Sequence, residues 1–500
     1  MQKAWGEIQS LCKKSHDVFL LAADNSSIQQ QILQEILSQN ADTEYLHSRG
    51  INGNSTYNEF CLQLQIIEYE DIQSYIQAIA DGEANKLTSE KVILFEMTGG
   101  SSGGSKLIPY TQKSLQSFQR ALHAWIYDIL QTRPNIKNGK AYFAISPVSR
   151  NEVTTKSGVS IGASNDSQYL GETLSHKLLE VLILPDNPTN QFEEWKFYTC
   201  KALLEAEDLT LISVWSPTFL TELLRYIQQN FAELRLAIAN KMPERAQQLK
   251  KVSNNNSLDY QSIWPMLDTI SCWKDATSAG LAEKLQLLFP SVFIQGKGLL
   301  STEAVTSFPL HKAAWPVLAI TSNFYEFLGS DNQVYLADNL ELGQAYQVIL
   351  TNYSGLYRYN IKDQVLVHGY EKGIPMLEFV GRAGICSDLC GEKLTEAFIL
   401  KAFNQVDPML LGNAALQPLS KDLRYNLIMD KAYFESCEIE KIAEEIEQAL
   451  CVNPQYAYAR KLGQLNKIKI VVRDNLVSTI IEGELSKGRA FGHIKPKVLI

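Results

Sequence analysis

Residues 95–106, reading F-E-M-T-G-G-S-S-G-G-S-K, constrain this chain more than any other stretch. The apolar run Val92-Ile93-Leu94-Phe95 leads into them and reads as a strand. An amphipathic segment from about Ser114 to Leu130 follows and reads as a helix. Between the two lie Thr98, Gly99, Gly100, Ser101, Ser102, Gly103 and Lys106. Glycines let successive N–H groups turn toward an anion, hydroxyls add donors and a lysine adds charge. Strand, glycine-rich turn and lysine together make a phosphate-binding design, although a Gly/Ser surface turn is the commoner source of such composition. The spacing is not that of a P-loop, because Ser105 stands where a lysine should follow Gly104. Nor is it the G-x-G-x-x-G of a dinucleotide fold.

Five hundred residues are more than one hydrophobic core organises, so a large domain and a smaller one are expected. The formal net charge of -9 argues against a nucleic-acid binder, which is usually basic. No apolar run has the length of a membrane span, and residues 1–7 hold no apolar stretch before a cleavage site. The eight cysteines are scattered; Cys386 and Cys390 lie four apart, with no second pair or histidine cluster to complete a zinc site. Reduced thiols in a cytoplasmic monomer that meets neither nucleic acid nor membrane are the expectation.

Residues 1–90 read mostly as helix, with Tyr69-Glu70-Asp71 at the acidic head of a surface helix. The runs 141–146 and 209–215 are apolar and β-prone, and a helical pattern follows the second over 218–227. That alternation predicts an α/β fold with strands buried on both faces. Residues 250–258 read as an exposed connection. Residues 269–273 read as another buried strand and 281–289 as a helix. A strand at 292–295 then enters Gly296-Lys297-Gly298-Leu299-Leu300-Ser301-Thr302-Glu303. In such a loop Glu303 suits Mg²⁺ and Thr302 a phosphate oxygen, while a Thr-Glu pair by itself is usually a helix cap. Asp363, ending an aromatic-rich strand, suits the hydroxyls of a ribose; pairing with Lys362 or Arg358 accounts for it equally well. A strand at 377–382 ends at Gly381-Arg382, and the domain boundary is placed there. Residues 1–382 form the large domain, 383–391 the hinge, and 392–500 a small α+β domain. Residues 487–497 read, from composition, as a basic frayed tail.

In this order, T-G-G-S-S-G-x-x-K, Ser301-Thr302-Glu303, Asp363, Gly381-Arg382 and a C-terminal lysine resemble the adenylate-forming enzymes. More narrowly, the chain resembles the acyl-acid amido synthetases of the Gretchen Hagen, auxin-responsive family. The likeness rests on Tyr69-Glu70-Asp71 with Gly82-Glu83, Ser213-Val214-Trp215-Ser216-Pro217, Ile263-Trp264-Pro265 and Ile270-Ser271-Cys272-Trp273. It continues through Gly355-Leu356-Tyr357-Arg358-Tyr359 and Leu462-Gly463-Gln464-Leu465, from about residue 25 to the end. The resemblance implies a large multi-sheet adenylate-forming domain followed by a smaller mobile one. It implies that ATP activates a carboxylic acid as an acyl-adenylate, and that an amine, usually an amino acid, then displaces AMP to give an amide.

By motif position, the resemblance puts Thr98 to Gly103 around the phosphates, with Lys106 supporting the loop. Ser301, Thr302 and Glu303 fall at the α-phosphate and Mg²⁺, Tyr359 and Asp363 at the nucleoside, and Arg382 at the hinge. Lys495 falls where the family has its C-terminal lysine, against the carboxylate and α-phosphate. The chain departs from the pattern in four places. Leu299 replaces the usual adenine-stacking aromatic, and Asn360-Ile361-Lys362-Asp363 replaces Arg-Val-Gly-Asp. A one-residue gap before Pro496 keeps Lys497 open as a substitute for Lys495. Gly391-Glu392-Lys393-Leu394 resembles acyl-CoA ligases, so a thioester-forming ligase stays open, as does a lapsed nucleotide-binding relative.

Overall fold

The computed structural model describes the chain except residues 26, 100–104, 145–152, 163–168, 188, 190, 255–256, 436–438, 487–490 and 492–493. The core of the glycine-rich loop, Gly100, Ser101, Ser102 and Gly103, therefore lies outside the described residues. The chain gathers into two compact units: 1–138, 148–182 and 297–379 make the first, and 139–147, 183–296 and 380–500 the second.

The first unit opens with the helices Gln2–Ala23, Ile28–Asn40 and Tyr69–Ala80, among shorter ones. An antiparallel hairpin of Leu94–Gly99 and Ser105–Tyr110 comes next, with Thr98 opposite Lys106 and Gly99 opposite Ser105. Leu94 and Phe95 also pair in parallel with Ser160–Ile161. The helix Gln112–Thr132 starts at a reciprocal cap between Thr111 and Ser114 and buries Leu115, Phe118, Leu122, Trp125 and Ile129. These recur at three- and four-residue steps, the spacing that puts one face of a helix on a core. A seven-stranded sheet completes the unit, with Ala345–Thr351 paired antiparallel to both Phe324–Leu328 and Tyr359–Glu371.

The second unit holds a four-stranded sheet in the order Phe293–Gly296, Thr269–Cys272, Leu209–Ser213, Lys140–Phe143, with every pairing parallel. All residues of Leu209–Ser213 and Thr269–Cys272 are buried, as helix-covered parallel strands require. Trp195, Phe219, Ile227, Trp264, Ile270 and Phe289 belong to the core around that sheet. A second core in the same unit gathers Phe403, Leu416, Tyr425, Leu427, Ile446 and Tyr456 around the sheet Ala414–Leu419, Arg424–Asp430 and Lys469–Arg473. The α/β, multi-sheet fold expected from the sequence is the one observed.

Two local expectations give way. Residues 250–258 are not simply a loop: the helix Pro243–Lys251 runs into them, and Ser253–Asn254 pairs with Ser257–Leu258. The basic tail is not frayed where it is described, since Phe491, Ile494 and Val498 are 4%, 1% and 0% exposed. Leu416 N–H donates to the Val498 carbonyl at 2.8 Å, and Ile500 N–H to that of Leu416 at 3.0 Å. These three apolar side chains among the lysines anchor the segment, and an average over its composition hides them.

Candidate active site

The hairpin is held at its base by the helix beside it. Lys106 Nζ lies 3.2 Å from Glu70 Oε1 and 5.0 Å from the centre of the Tyr69 ring. Tyr69 Oη accepts the Leu107 N–H at 3.0 Å. The neighbouring Glu68 takes Lys362 Nζ at 2.7 Å, and Asp71 caps the helix by accepting the Glu68 N–H at 2.8 Å. A helix head that reads as plain acidic surface thus fixes two lysines, one beside the glycine-rich turn and one beside Asp363. Glu70 is exposed and the pairs are worth little as stability; what they set is position.

The strand Phe293–Gly296 hands the chain on to Ser301-Thr302-Glu303. Gly298 sits at φ +75°, and a Cβ there would come within 2.5 Å of the Ser307 carbonyl. Leu299 is 4% exposed and donates its N–H to Ser307 Oγ at 3.0 Å, so its side chain belongs to the core. Residues 301–304 are a tight turn and not a helix cap: Leu300 bridges Val305, and Ser301 N–H donates to the Ala304 carbonyl at 2.9 Å.

Two side chains grip that turn through its backbone. Tyr110, from the end of the hairpin, donates its hydroxyl to the Thr302 carbonyl. Asn352 Nδ2 donates to the Glu303 carbonyl at 3.2 Å. Burial, followed by the carboxylates of Glu96 and Glu303, pushes the Tyr110 hydroxyl far above the usual tyrosine range, so it stays a donor. Glu303, Tyr110, Ser114, Asn323, Asn352 and Ser354 line one narrow cleft. The Ser354 hydroxyl is buried there and has no hydrogen-bond partner among the described residues. Gly355, at φ +92°, closes the turn, and a Cβ would meet the Leu87 carbonyl at 2.4 Å.

Near Asp363 in the chain, Arg358 and Lys362 each hold an acidic partner. Arg358 meets Glu326, its Nε 3.1 Å from one carboxylate oxygen and a terminal nitrogen 2.9 Å from the other, with both residues buried. Lys362 meets Glu68. Lys362 stands at φ +63°, the left-handed region that glycine enters freely, and Asn360 Oδ1 braces it by accepting its N–H at 2.8 Å. Asn360 thus supports the bend at Lys362. Tyr359 is 3% exposed and paired with Leu350. Asp363 is half-buried on the same strand.

In the second unit, Arg382 ends the strand Ile374–Arg382, after Gly381 at φ +137°. Lys495 and Lys497 separate clearly. Lys497 Nζ donates to Glu484 Oε1 at 2.8 Å, whereas Lys495 is exposed with its ammonium 4.7 Å from the centre of the Trp273 ring. Trp273 follows the strand Thr269–Cys272 and Trp215 stands two residues beyond the strand Leu209–Ser213. Lys495 therefore sits at the carboxyl edge of the parallel sheet, where open α/β sheets bind ligands. Glu392, of the CoA-ligase-like Gly391-Glu392-Lys393-Leu394, is fully buried and accepts the N–H groups of Leu389 and Cys390, both at 2.7 Å, and the Tyr425 hydroxyl. That carboxylate clamps the turn it belongs to. Among the described residues no group of three or more potential metal ligands occurs, and no helix is long and apolar enough to cross a membrane.

Comparison with known proteins bears on the family and the fold. The GH3 family N-terminal domain matches residues 16–294 and the GH3 family central domain residues 316–382. The jasmonoyl–L-amino acid synthetase JAR4 of Nicotiana attenuata is 21% identical, over 95% of this chain and 91% of its own. The solved acyl acid amido synthetase AtGH3.15 superposes with a TM-score of 0.84 at 20% identity, covering 98% of this chain and 94% of that one. A 2-hydroxyisobutyryl-CoA ligase in the postadenylation state reaches 0.57 at 10% identity, over 95% and 89%. With family models spanning most of its length, the chain belongs to the GH3 family.

Proposed function

We propose that this GH3 protein is an ATP-dependent ligase that joins a carboxylic acid to an amine, most simply an amino acid, in two half-reactions. In the first, a carboxylate oxygen attacks the α-phosphorus of ATP and pyrophosphate leaves, giving an acyl-adenylate. In the second, an amine attacks the acyl carbon, AMP leaves, and the nitrogen loses a proton. The observation that carries this reading is the tie between Tyr110 and Thr302, which joins the hairpin of the glycine-rich turn to the Ser301–Glu303 loop within one unit.

The first step brings two anions together, so it needs preorganised donors and positive charge more than a general base. Thr98, Gly99, Gly100, Ser101, Ser102 and Gly103 would receive the phosphates, with Lys106 holding the base of the turn against Glu70. Ser301 and Thr302 would face the α-phosphate, Tyr359 and Asp363 the nucleoside, and Arg382 the hinge. Mg²⁺ fits a site of this kind, because it rides on phosphate oxygens and water and asks the protein for one or two carboxylates. Glu303 would supply the carboxylate, and the ion would offset charge on the ATP phosphates. Lys495 would neutralise the carboxylate–phosphate encounter. Residues 1–382 would act as the adenylating part and 392–500 as the mobile part, turning on 383–391, so that Lys495 withdraws before the amine enters. A cytoplasmic monomer is the simplest setting.

Acid-dependent ATP–pyrophosphate exchange tests the first half-reaction. A panel of aryl, indolyl and aliphatic acids should include at least one that supports exchange, and amide should form when amino acids are added. Thioester formation with coenzyme A in place of amide would redirect the reading toward the CoA ligases. Absence of exchange across the panel, together with no aminolysis of synthetic acyl-adenylates, would overturn it.

A further inference from the structure

We propose that Glu70 is the resting partner of Lys106, from which the lysine passes to the triphosphate when ATP enters the glycine-rich turn; this rests on the reading of that turn as phosphate-binding. The main chain at Lys106 is fixed on both sides. Thr98 lies opposite Lys106 across the hairpin and Gly99 opposite Ser105, so the lysine stands one residue from the pair that opens the turn. On the outer edge, the Leu107 N–H donates to the hydroxyl of the buried Tyr69 at 3.0 Å. With the strand pinned, movement is left to the lysine's flexible four-carbon stem. Its ammonium lies 3.2 Å from Glu70 Oε1 and 5.0 Å from the centre of the Tyr69 ring.

The carboxylate that holds the lysine has an anchor of its own. Glu70 stands in the first turn of the helix Tyr69–Ala80, and its own backbone N–H, then Lys106, keeps its carboxyl below the usual carboxylate range. The N–H groups at a helix start favour a negative charge there. Lys362, paired with Glu68 at 2.7 Å, adds to the same effect on Glu70. Glu70 therefore stays ionised and in place after Lys106 leaves it. The lysine's hold is weaker. The Glu70 side chain is 63% exposed, and an exposed ion pair shifts an equilibrium by at most about fivefold. A triphosphate offers the same ammonium several charged acceptors at once. One swing of the stem thus exchanges one anion for another, and Glu70 takes the ammonium back when pyrophosphate leaves. Glu70 is a positioning residue that acts through Lys106.

The test is a double-mutant cycle in the full-length protein, read by calorimetric binding of ATP with Mg²⁺ and no acid. Glu70→Gln should lower the Kd for ATP about two- to threefold, because the resting competitor is gone. Lys106→Gln should raise it about fivefold or more. Glu70→Gln added to Lys106→Gln should change nothing further. The second readout is the rate at which acetic anhydride acetylates Lys106, followed by peptide mass spectrometry. ATP should protect Lys106 in the parent, and Glu70→Gln should raise its acetylation without ATP several-fold relative to other exposed lysines. A Kd that rises in Glu70→Gln makes the carboxylate a support of the turn and overturns the proposal. An equal fall in the Lys106→Gln background overturns it as well, since Glu70 then acts on the phosphates as a bystander charge. If ATP protects Lys106 while Glu70→Gln leaves acetylation and Kd unchanged, the phosphate-binding turn stands and the resting partner falls. If ATP binds without protecting Lys106, and Lys106→Gln binds it as tightly as the parent, the lysine is no phosphate ligand and both readings fall.

Discussion

Lys497 and Glu484 form an ion pair, Nζ to Oε1 at 2.8 Å, in which the carboxylate is only 3% exposed. A lysine so held fastens the end of the chain to the helix Leu476–Leu485. The same geometry predicts different fates for two lysines that sequence alone leaves interchangeable. Lys497→Met strands a buried acceptor and should cost about 1–3 kcal/mol of stability while keeping exchange per folded molecule. Lys495→Ala should leave the unfolding curve in place and lower exchange by about a hundredfold or more. Denaturant unfolding measured beside ATP–pyrophosphate exchange separates them, and the reverse pattern would move the catalytic role to Lys497.

Tyr110 reaches the site through a backbone carbonyl, so the effect of removing its hydroxyl is specific. Tyr110→Phe keeps the ring packed near Phe118 and Tyr169 and deletes the donor to Thr302. The lost bond is worth about 1 kcal/mol, and a loosened Thr302-Glu303 turn should hold the nucleotide's metal less firmly. Exchange should need several-fold more Mg²⁺ to saturate. A superimposable Mg²⁺ titration in the variant would count against the strut.

Arg358 and Glu326 bear on the stability of the first unit. Arg358 also donates to the Leu64 carbonyl at 2.8 Å, and the Tyr57 hydroxyl donates to Glu326 at 2.9 Å, so the charges are paired and their remaining positions satisfied. Replacing one partner leaves the other buried and alone. Arg358→Met should therefore cost about 3–5 kcal/mol, read by thermal or denaturant unfolding. A loss below about 1 kcal/mol would mean that water reaches the pair.

What the sequence yielded and what it withheld follow from how each signal is encoded. The parallel strands Leu209–Ser213 and Thr269–Cys272 are legible because burial on both faces demands unbroken apolar runs. The helix Gln112–Thr132 is legible because its core-facing residues recur at helical spacing. Tyr69 and Glu70 were not legible as props of Lys106, since their partner lies across a hairpin and surface acids look alike until the fold brings a lysine to one. Tyr110 and Asn352 act on main-chain carbonyls, which no side-chain motif announces. The resemblance of Gly391-Glu392-Lys393-Leu394 to CoA ligases has a local cause: Glu392 closes its own turn, whatever acceptor the enzyme uses.

Phe491 decides whether Lys495 can be at the carboxyl edge of the parallel sheet at all. It is 4% exposed, and its ring lies 4.9 Å from Phe219, 5.2 Å from Phe192 and 6.1 Å from Trp195. Burial of one phenylalanine is worth a few kcal/mol, and here it opposes the freedom of a short tail. Phe491 belongs to the core around the parallel sheet and not to that around Phe403, Tyr425 and Tyr456, so truncating it should loosen the tail's hold on the first core without unfolding the second. Phe491→Ala should lower exchange at least about tenfold, because about 3–5 kcal/mol of packing is removed from the docked state alone. Aminolysis of a supplied acyl-adenylate should stay within about twofold of the parent, since the role proposed for Lys495 lies in the first half-reaction. If aminolysis falls as far as exchange, Phe491 supports the fold of the whole unit and the tail is not an independently docking segment.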